Sequence, residues 1–299
     1  MSAELPEVAG VSHSYVDLGG MRVHVAEAGA GEPLVLQHGW PQHWWAWRFL
    51  IPRLAERYRV ICPDLRGHGW SDAPAGGYEK EQFASDLLAV MDAMGLDRVR
   101  LAGHDWGGFA GFLACLRAPE RFSGFVAMGI LHPWPPQERP GPRRLAKAWY
   151  QAAMAAPGLG QLIVQRGGFA PRALAASRVA GSYEKAELEV YGERFRDPAR
   201  AHAVVQLYRT FLLRELKPLV DGAYRGRRLE VPTRLLIGAE DLLFKGEALD
   251  GYQADAPGME IVRIPGAGHW LPEEAPEAVL AEMEPFLAAA GPGPDPVLR

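Results

Sequence analysis

Residues 101–111 read LAGHDWGGFAG, and Gly103 and Gly107 stand two places either side of Asp105. A strand-like run, RVRLAG, leads into His104-Asp105-Trp106, and a helix-like run, GGFAGFLACLRA, follows at once. A strand, a sharp turn and a helix in that order hold the apex residue in a sparsely allowed backbone conformation and lift its side chain above the sheet edge. So tight a turn leaves no room for bulk two places before or after its apex, which accounts for the two glycines. The helix N-terminus beneath favours an anion. An aspartate capping an ordinary helix would look similar, so the reading depends on what the rest of the chain supplies around Asp105.

Three other segments supply chemistry. In LQHGWPQHWWAW, immediately after an early strand, the backbone N–H of Trp40 could join that of Trp106 in an oxyanion hole. His38 and Pro41 lie in the same turn and are expected to border the substrate. In LLIGAEDLLF, Asp241 sits just past a strand's carboxyl end, with Glu240 a weaker competitor. In IPGAGHWLPEE, His269 follows the last strand and precedes the final helix, and Trp270 beside it is expected to line the pocket. The other histidines are weaker candidates: His68 lies in a turn that looks structural, and His104 should point away from the pocket. Nucleophile, acid and histidine thus occur in the chain order known for hydrolases built on an open sheet, each at the carboxyl end of a strand, where such sheets bind ligands.

The identity of the nucleophile narrows the reaction. A serine must be deprotonated before it attacks, whereas a carboxylate with a reference pKa near ~3.9 is ionised at neutral pH. Attack on an acyl carbon would give an anhydride, so a carboxylate is better suited to displacement at a saturated carbon, leaving an alkyl ester on the protein. His269, oriented by Asp241, is then free to activate the water that hydrolyses this ester.

The elements that must position these groups are legible as well. The runs PLVLQHG, YRVICPD, RVRLAGH and FSGFVAMGI lack polar alternation, as expected of parallel strands buried on both faces. Between them, EKEQFASDLLAVMDAMGL places Phe83, Leu87, Val90, Met91 and Met94 on one helical stripe, with Gly95 at the stop. The rhythm breaks at HPWPPQERPGPRR, and from about residue 143 to 222 the pattern is helical only. It resumes with VPTRLLIGAED and MEIVRIPGAGHW, then a final amphipathic helix from about Glu274 to Leu287. An α/β core interrupted by a helical lid is predicted.

The chain has 299 residues, 48% of them apolar and 23% charged, with a formal net charge of −4 that gives no reason to expect nucleic acid or an anionic membrane as partner. The cysteines, Cys62 and Cys115, lie in apolar runs and read as buried free thiols. No signal peptide and no apolar run long enough to span a bilayer are visible, so a cytoplasmic location is the default, as monomer or homodimer. No ligand spacing for a metal is present, and neither a metal nor a cofactor is expected. The last stretch, AAAGPGPDPVLR, reads as a frayed tail.

The motifs GHDWGG, HGWP and GHW resemble those of the α/β-hydrolase-fold epoxide hydrolases, and the resemblance spans almost the whole chain. It implies a mostly parallel central sheet flanked by helices, with a helical cap inserted after the sixth strand. Residues 1–133 and 223–299 would form the core and 134–222 the cap. It also implies a small-molecule epoxide as substrate and two cap tyrosines that donate to the epoxide oxygen. WYQAAMAAPG offers Tyr150, with Gln151 beside it, and VVQLYRTF offers Tyr208. Haloalkane dehalogenases share the aspartate and the tryptophan after it, but often have an Asn where Trp40 stands and do not need two cap phenols. Haloacetate dehalogenases usually carry an Arg after the nucleophile, where this chain has Trp106. A non-catalytic binding protein of the same fold would be expected to lose one of the reactive groups, and this chain keeps all three.

Overall fold

A computed structural model describes residues 4–136, 149–166, 168–241, 244 and 249–290. Eight strands form one sheet in the order β1-β2-β4-β3-β5-β6-β7-β8. They are β1 (Ser12–Asp17), β2 (Arg22–Ala28), β3 (Glu32–Gln37), β4 (Tyr58–Pro63), β5 (Val99–His104), β6 (Phe122–Met128), β7 (Thr233–Gly238) and β8 (Met259–Ile264). From β4 and β3 through to β8 every pairing is parallel; only β1 with β2, and β2 with β4, run antiparallel. The six apolar runs of the sequence are the parallel strands. The antiparallel pair at the edge carries a different signature, because β1 keeps most of its residues exposed or half-exposed and so has no continuous apolar run.

Alternate residues of the central strands feed two separate cores. Val35, Ile61 and Leu101 face the helices Lys80–Ala93 and Trp106–Arg117, among Phe83, Leu87 and Phe112. Leu34, Leu36, Val60 and Ala102 face the other way, toward the helix Pro276–Ala289 and its Leu280, Met283 and Leu287. The strands read as unbroken apolar runs because both faces are covered. Cys62 and Cys115 are free and buried. The final helix expected from about Glu274 to Leu287 runs Pro276–Ala289, and a separate short helix, Leu271–Glu274, precedes it. Pro276 disfavours the helical region for the residue before it, and Ala275 adopts φ −143° and ψ 52°.

The chain leaves β3 for β4 on one side and returns to β5 on the other, so the carboxyl ends of β3 and β5 meet where the winding reverses, with Gln37 opposite Gly103. Between β6 and β7 the described residues are helical, comprising Trp149–Ala155, Leu159–Gln165, Phe169–Ser177, Lys185–Arg194, Pro198–Thr210, a π-helical turn Phe211–Glu215 and Leu216–Val220. The helical insertion therefore follows the sixth strand. Most of the proline-rich run and the C-terminal tail lie outside the described residues. Among the described residues, no helix is long and apolar enough to cross a membrane.

Candidate active site

Asp105 follows β5 directly and is the one non-glycine residue with positive φ among the described residues, at φ 50° and ψ −126°. An L-residue adopts such a conformation only where its surroundings over-determine it. Here the Asp105 N–H donates to the Met128 carbonyl at 3.0 Å, and the Asp105 carbonyl accepts the Phe109 N–H at 3.0 Å. Packing fixes the rest of the turn. A Cβ at Gly107 would run into the backbone carbonyls of Gln37 and His38, and one at Gly39 would occupy the space of the Asp105 side chain. The glycines flanking the apex are therefore a demand of the tertiary structure as much as of the turn.

The two carboxylate oxygens of Asp105 meet different partners. Oδ1 accepts the Trp40 N–H at 2.9 Å. Oδ2 lies 3.7 Å from His269 Nε2, a charge contact too long for a hydrogen bond. On the far side of the ring, His269 Nδ1 is 2.9 Å from Asp241 Oδ2. His269 and Asp241 are buried, and the Asp105 side chain is 14% exposed, which leaves it open to a small molecule. Burial works to discharge His269, but the carboxylates of Asp105 and Asp241 outweigh it and its pKa is pushed up to about 10. With Asp105 ionised, His269 is thus an imidazolium between two carboxylates.

The loops behind this pair are tied to one another. The Glu240 N–H donates to the Ala267 carbonyl at 3.0 Å, and the Asp241 N–H to the Gly238 carbonyl at 3.1 Å. His104 does point away from Asp105 and donates from Nε2 to the His269 carbonyl at 2.8 Å, a prop beneath the loop.

Above Asp105 the insertion contributes a set of rings. The rings of Tyr150 and Tyr208 lie 6.2 Å apart edge to face, and Tyr208 is 5.5 Å from Trp40. Phe169 stacks on both Trp40 and Tyr150. The Trp106 and Tyr208 rings lie 6.2 Å apart edge to face, and the Gln151 amide donates to the Tyr150 hydroxyl over a long 3.4 Å. The Tyr150 oxygen thus accepts a bond and keeps its own proton to give. Burial raises the pKa of both phenols, Tyr208 most strongly.

Of the residues expected to touch substrate, His38 is corrected. It is fully buried, its Nδ1 donates to the Gly39 carbonyl at 3.0 Å and its Nε2 accepts the Leu65 N–H at 3.0 Å. Both ring nitrogens are spent on the turn, so His38 braces the Trp40 amide instead of meeting a ligand. Pro41 is buried and follows a cis peptide. Trp270 packs edge-on against His269 at 4.6 Å and turns its indole N–H to Ser177 of the insertion at 2.9 Å. The backbone N–H of Trp106 opens its helix and has no acceptor within it.

Several neighbours escape a reading of the sequence. Phe169 and Phe211 are single aromatics in unremarked helical segments, and Phe211 lies 4.9 Å from Trp106. Lys80 looks like a solvated first-turn lysine but is buried, 4.7 Å from the Trp106 ring. Glu273 and Glu274 pass for the acidic start of a helix, and only the fold shows what they grip. Asp64, in the turn read as structural, is fully buried and accepts the N–H groups of Trp44 at 2.7 Å and Trp70 at 2.9 Å.

Comparison with known proteins gives the same picture. Residues 32–276 match the alpha/beta hydrolase fold family. A soluble epoxide hydrolase from Corynebacterium sp. (strain C12) is 47% identical over 102 residues, covering 34% of this chain and 36% of that enzyme. A fluoroacetate dehalogenase from Burkholderia sp. is 28% identical over 95% of this chain and 96% of its own length. The solved structure of a candidate epoxide hydrolase from Pseudomonas aeruginosa superposes with a TM-score of 0.83 at 32% identity, covering 96% of this chain and 98% of that one. The chain belongs to the alpha/beta hydrolase fold family and is an epoxide-hydrolase-like member of it.

Proposed function

We propose that the protein opens an epoxide with water to give a vicinal diol, by way of an alkyl ester on Asp105. The observation that carries this reading is the division of labour on one carboxylate: Oδ1 is held by the Trp40 N–H, while Oδ2 faces His269 with Asp241 behind it. Oδ2 attacks one ring carbon and the bond from that carbon to the epoxide oxygen breaks. The alkoxide so formed is too basic to leave unaided, and Tyr150 and Tyr208 give it a proton. Residues 134–222 act in this scheme as the cap that brings the phenols over a core formed by 1–133 and 223–299.

Once Asp105 is an ester its charge is gone. One of the two carboxylates that keep a proton on His269 is lost with it, and the ring can discharge and act as a base. It takes a proton from water, whose oxygen adds to Cγ of Asp105. The Trp40 N–H, joined by that of Trp106, holds the charge that develops on Oδ1. Collapse breaks the bond from Cγ to the original Oδ2, that oxygen takes the proton held by His269, and the diol leaves carrying it.

One turnover of styrene oxide in heavy-oxygen water tests the scheme. The first diol should leave unlabelled at its new hydroxyl while the label enters Asp105; a labelled first diol would mean direct attack by water and would end the proposal. A second reading, dehalogenation through the same Asp105, is favoured by the dehalogenase relative and by the Trp40 indole N–H, which is buried without a hydrogen-bond partner among the described residues. Halide release from a chloroalkane, without diol from the epoxide, would decide for it.

A further inference from the structure

Two neighbouring carboxylates join the helical insertion to the loop that carries His269. Glu274 Oε1 accepts the Trp270 N–H at 2.8 Å, and Oε2 accepts the Gly268 N–H at 3.0 Å. The same Oε2 accepts the N–H groups of Val179 at 2.9 Å and Ala180 at 3.0 Å, both in the insertion. One carboxylate therefore grips the backbone immediately before and after His269 and two successive amides of the segment above it. A Cβ on Gly268 would press on the Val179 side chain and sit against Glu274, so position 268 is kept bare by the same contact.

Glu273 makes a second grip. Its buried side chain accepts the hydroxyls of Tyr183 at 2.6 Å and Tyr191 at 2.9 Å from the insertion, and it pairs with Arg48 and Gln42 of the core. Arg48 in turn reaches Glu187 of the insertion at 2.5 Å. Arg178 donates to the Glu273 carbonyl at 3.1 Å, and Trp270 to Ser177. Insertion residues 177–180 are thus bonded to residues 270, 273 and 274, and Glu274 passes the tie on to Gly268.

From this geometry we infer that Glu274 is a positioning residue for His269, which makes the seating of the insertion a condition for ester hydrolysis. The inference rests on the two-step reading above. Three of the four N–H groups converge on Oε2 and one on Oε1, so both oxygens must be acceptors; a carboxamide in its place would set an NH2 group against at least one N–H donor. The effect should fall on the step that uses His269 and spare the step that uses Asp105 and the phenols. A displacement of about 1 Å in a reacting group is enough to slow its step by up to about a hundredfold.

The test uses the full chain with styrene oxide as probe and compares wild type, Glu274→Gln and the exposed control Glu277→Gln. For Glu274→Gln, kcat should fall about tenfold or more while kcat/KM stays within about twofold, since the latter reports alkylation. The ester should accumulate on the intact protein, and Glu277→Gln should behave as wild type. If kcat is unchanged, or if kcat and kcat/KM fall together with no ester accumulating, Glu274 has only a structural part and the inference is wrong. Glu274→Asp keeps the charge and loses one methylene of reach; it should show the same split in milder form, and serves if the amide variant fails to fold. His269→Gln runs alongside: an ester there secures the two-step reading, and no ester there removes that reading and this inference with it.

Discussion

In the proposed scheme His269 carries a proton that it must lose before it can activate water. In the resting site its pKa is pushed up to about 10, because Asp105 and Asp241 outweigh the burial that would discharge it. Alkylation of Asp105 neutralises one of the two carboxylates, so the ester form of His269 titrates at lower pH than the free form. The sign of the consequence is fixed. Below that lower value the ring is protonated and the ester survives; above it the ester is hydrolysed. In rapid-quench experiments with styrene oxide, the alkylated fraction seen by intact mass should be larger at pH 5 than at pH 8, and kcat should rise with pH while kcat/KM rises less. A constant ester fraction across that range would show that His269 is not the base. Chain order and neighbouring glycines point to Asp105, Asp241 and His269, but the pKa of His269 depends on distances that no sequence pattern carries.

Among the elements, the helix Pro198–Thr210 and the π-helical turn Phe211–Glu215 set the height of Tyr208. Lys80, at the start of a core helix, holds this junction. Its Nζ donates to the Leu207 carbonyl at 3.2 Å and to Glu215 at 2.8 Å, and its backbone N–H also donates to Glu215 at 2.7 Å. Burial lowers the Lys80 pKa and Glu215 opposes that fall. The ammonium also lies 4.7 Å over the Trp106 ring, which in turn packs edge to face on Tyr208 at 6.2 Å. Lys80→Met should therefore cost roughly 1.5–3 kcal/mol of stability, the worth of a charge-assisted hydrogen bond. It should also slow ring opening more than ester hydrolysis. Thermal unfolding and single-turnover kinetics read the two effects, and equal slowing of both steps would dissociate Lys80 from Tyr208. The helical stripe ending at Gly95 is plain from periodicity. The buried lysine is not, because nothing local distinguishes a lysine that will be covered by another segment.

At the scale of the whole molecule, the buried histidines pull stability in opposite directions with pH. Burial first of all pushes the pKa of His43 down to about 3, and of His68 and His104 down to about 4. In the unfolded chain each takes a proton near about 6.5. Their contribution is complete above that value and is lost as pH falls from it toward the folded values. His269 has the opposite sign. Its folded pKa of about 10 lies above the unfolded one, so its contribution is complete below about 6.5 and is lost as pH rises through about 10. The Tm should pass through a maximum near neutrality and decline on both sides. His269→Gln should flatten the alkaline limb and leave the acid limb in place; an unaltered alkaline limb in that variant would contradict the charge state assigned to His269.

By itself the sequence determined the six parallel strands, the helical interruption that follows the run FSGFVAMGI, and the placing of Asp105, Asp241 and His269 at strand ends. These follow from local physics: apolar runs that must be covered on both faces, a turn too tight for side chains, and groups placed at strand ends. Only the tertiary structure decided which groups meet. It spent both nitrogens of His38 on backbone partners, buried Lys80, and set Glu273 and Glu274 against residues of the insertion far from them in the chain. A short helix, Leu271–Glu274, stands before the final one, and the edge strands β1 and β2 lacked the apolar run that marks the others. Periodicity reports how a residue relates to its neighbours in the chain, whereas hydrogen-bond partners and pKa shifts are set by contacts between segments that only folding brings together.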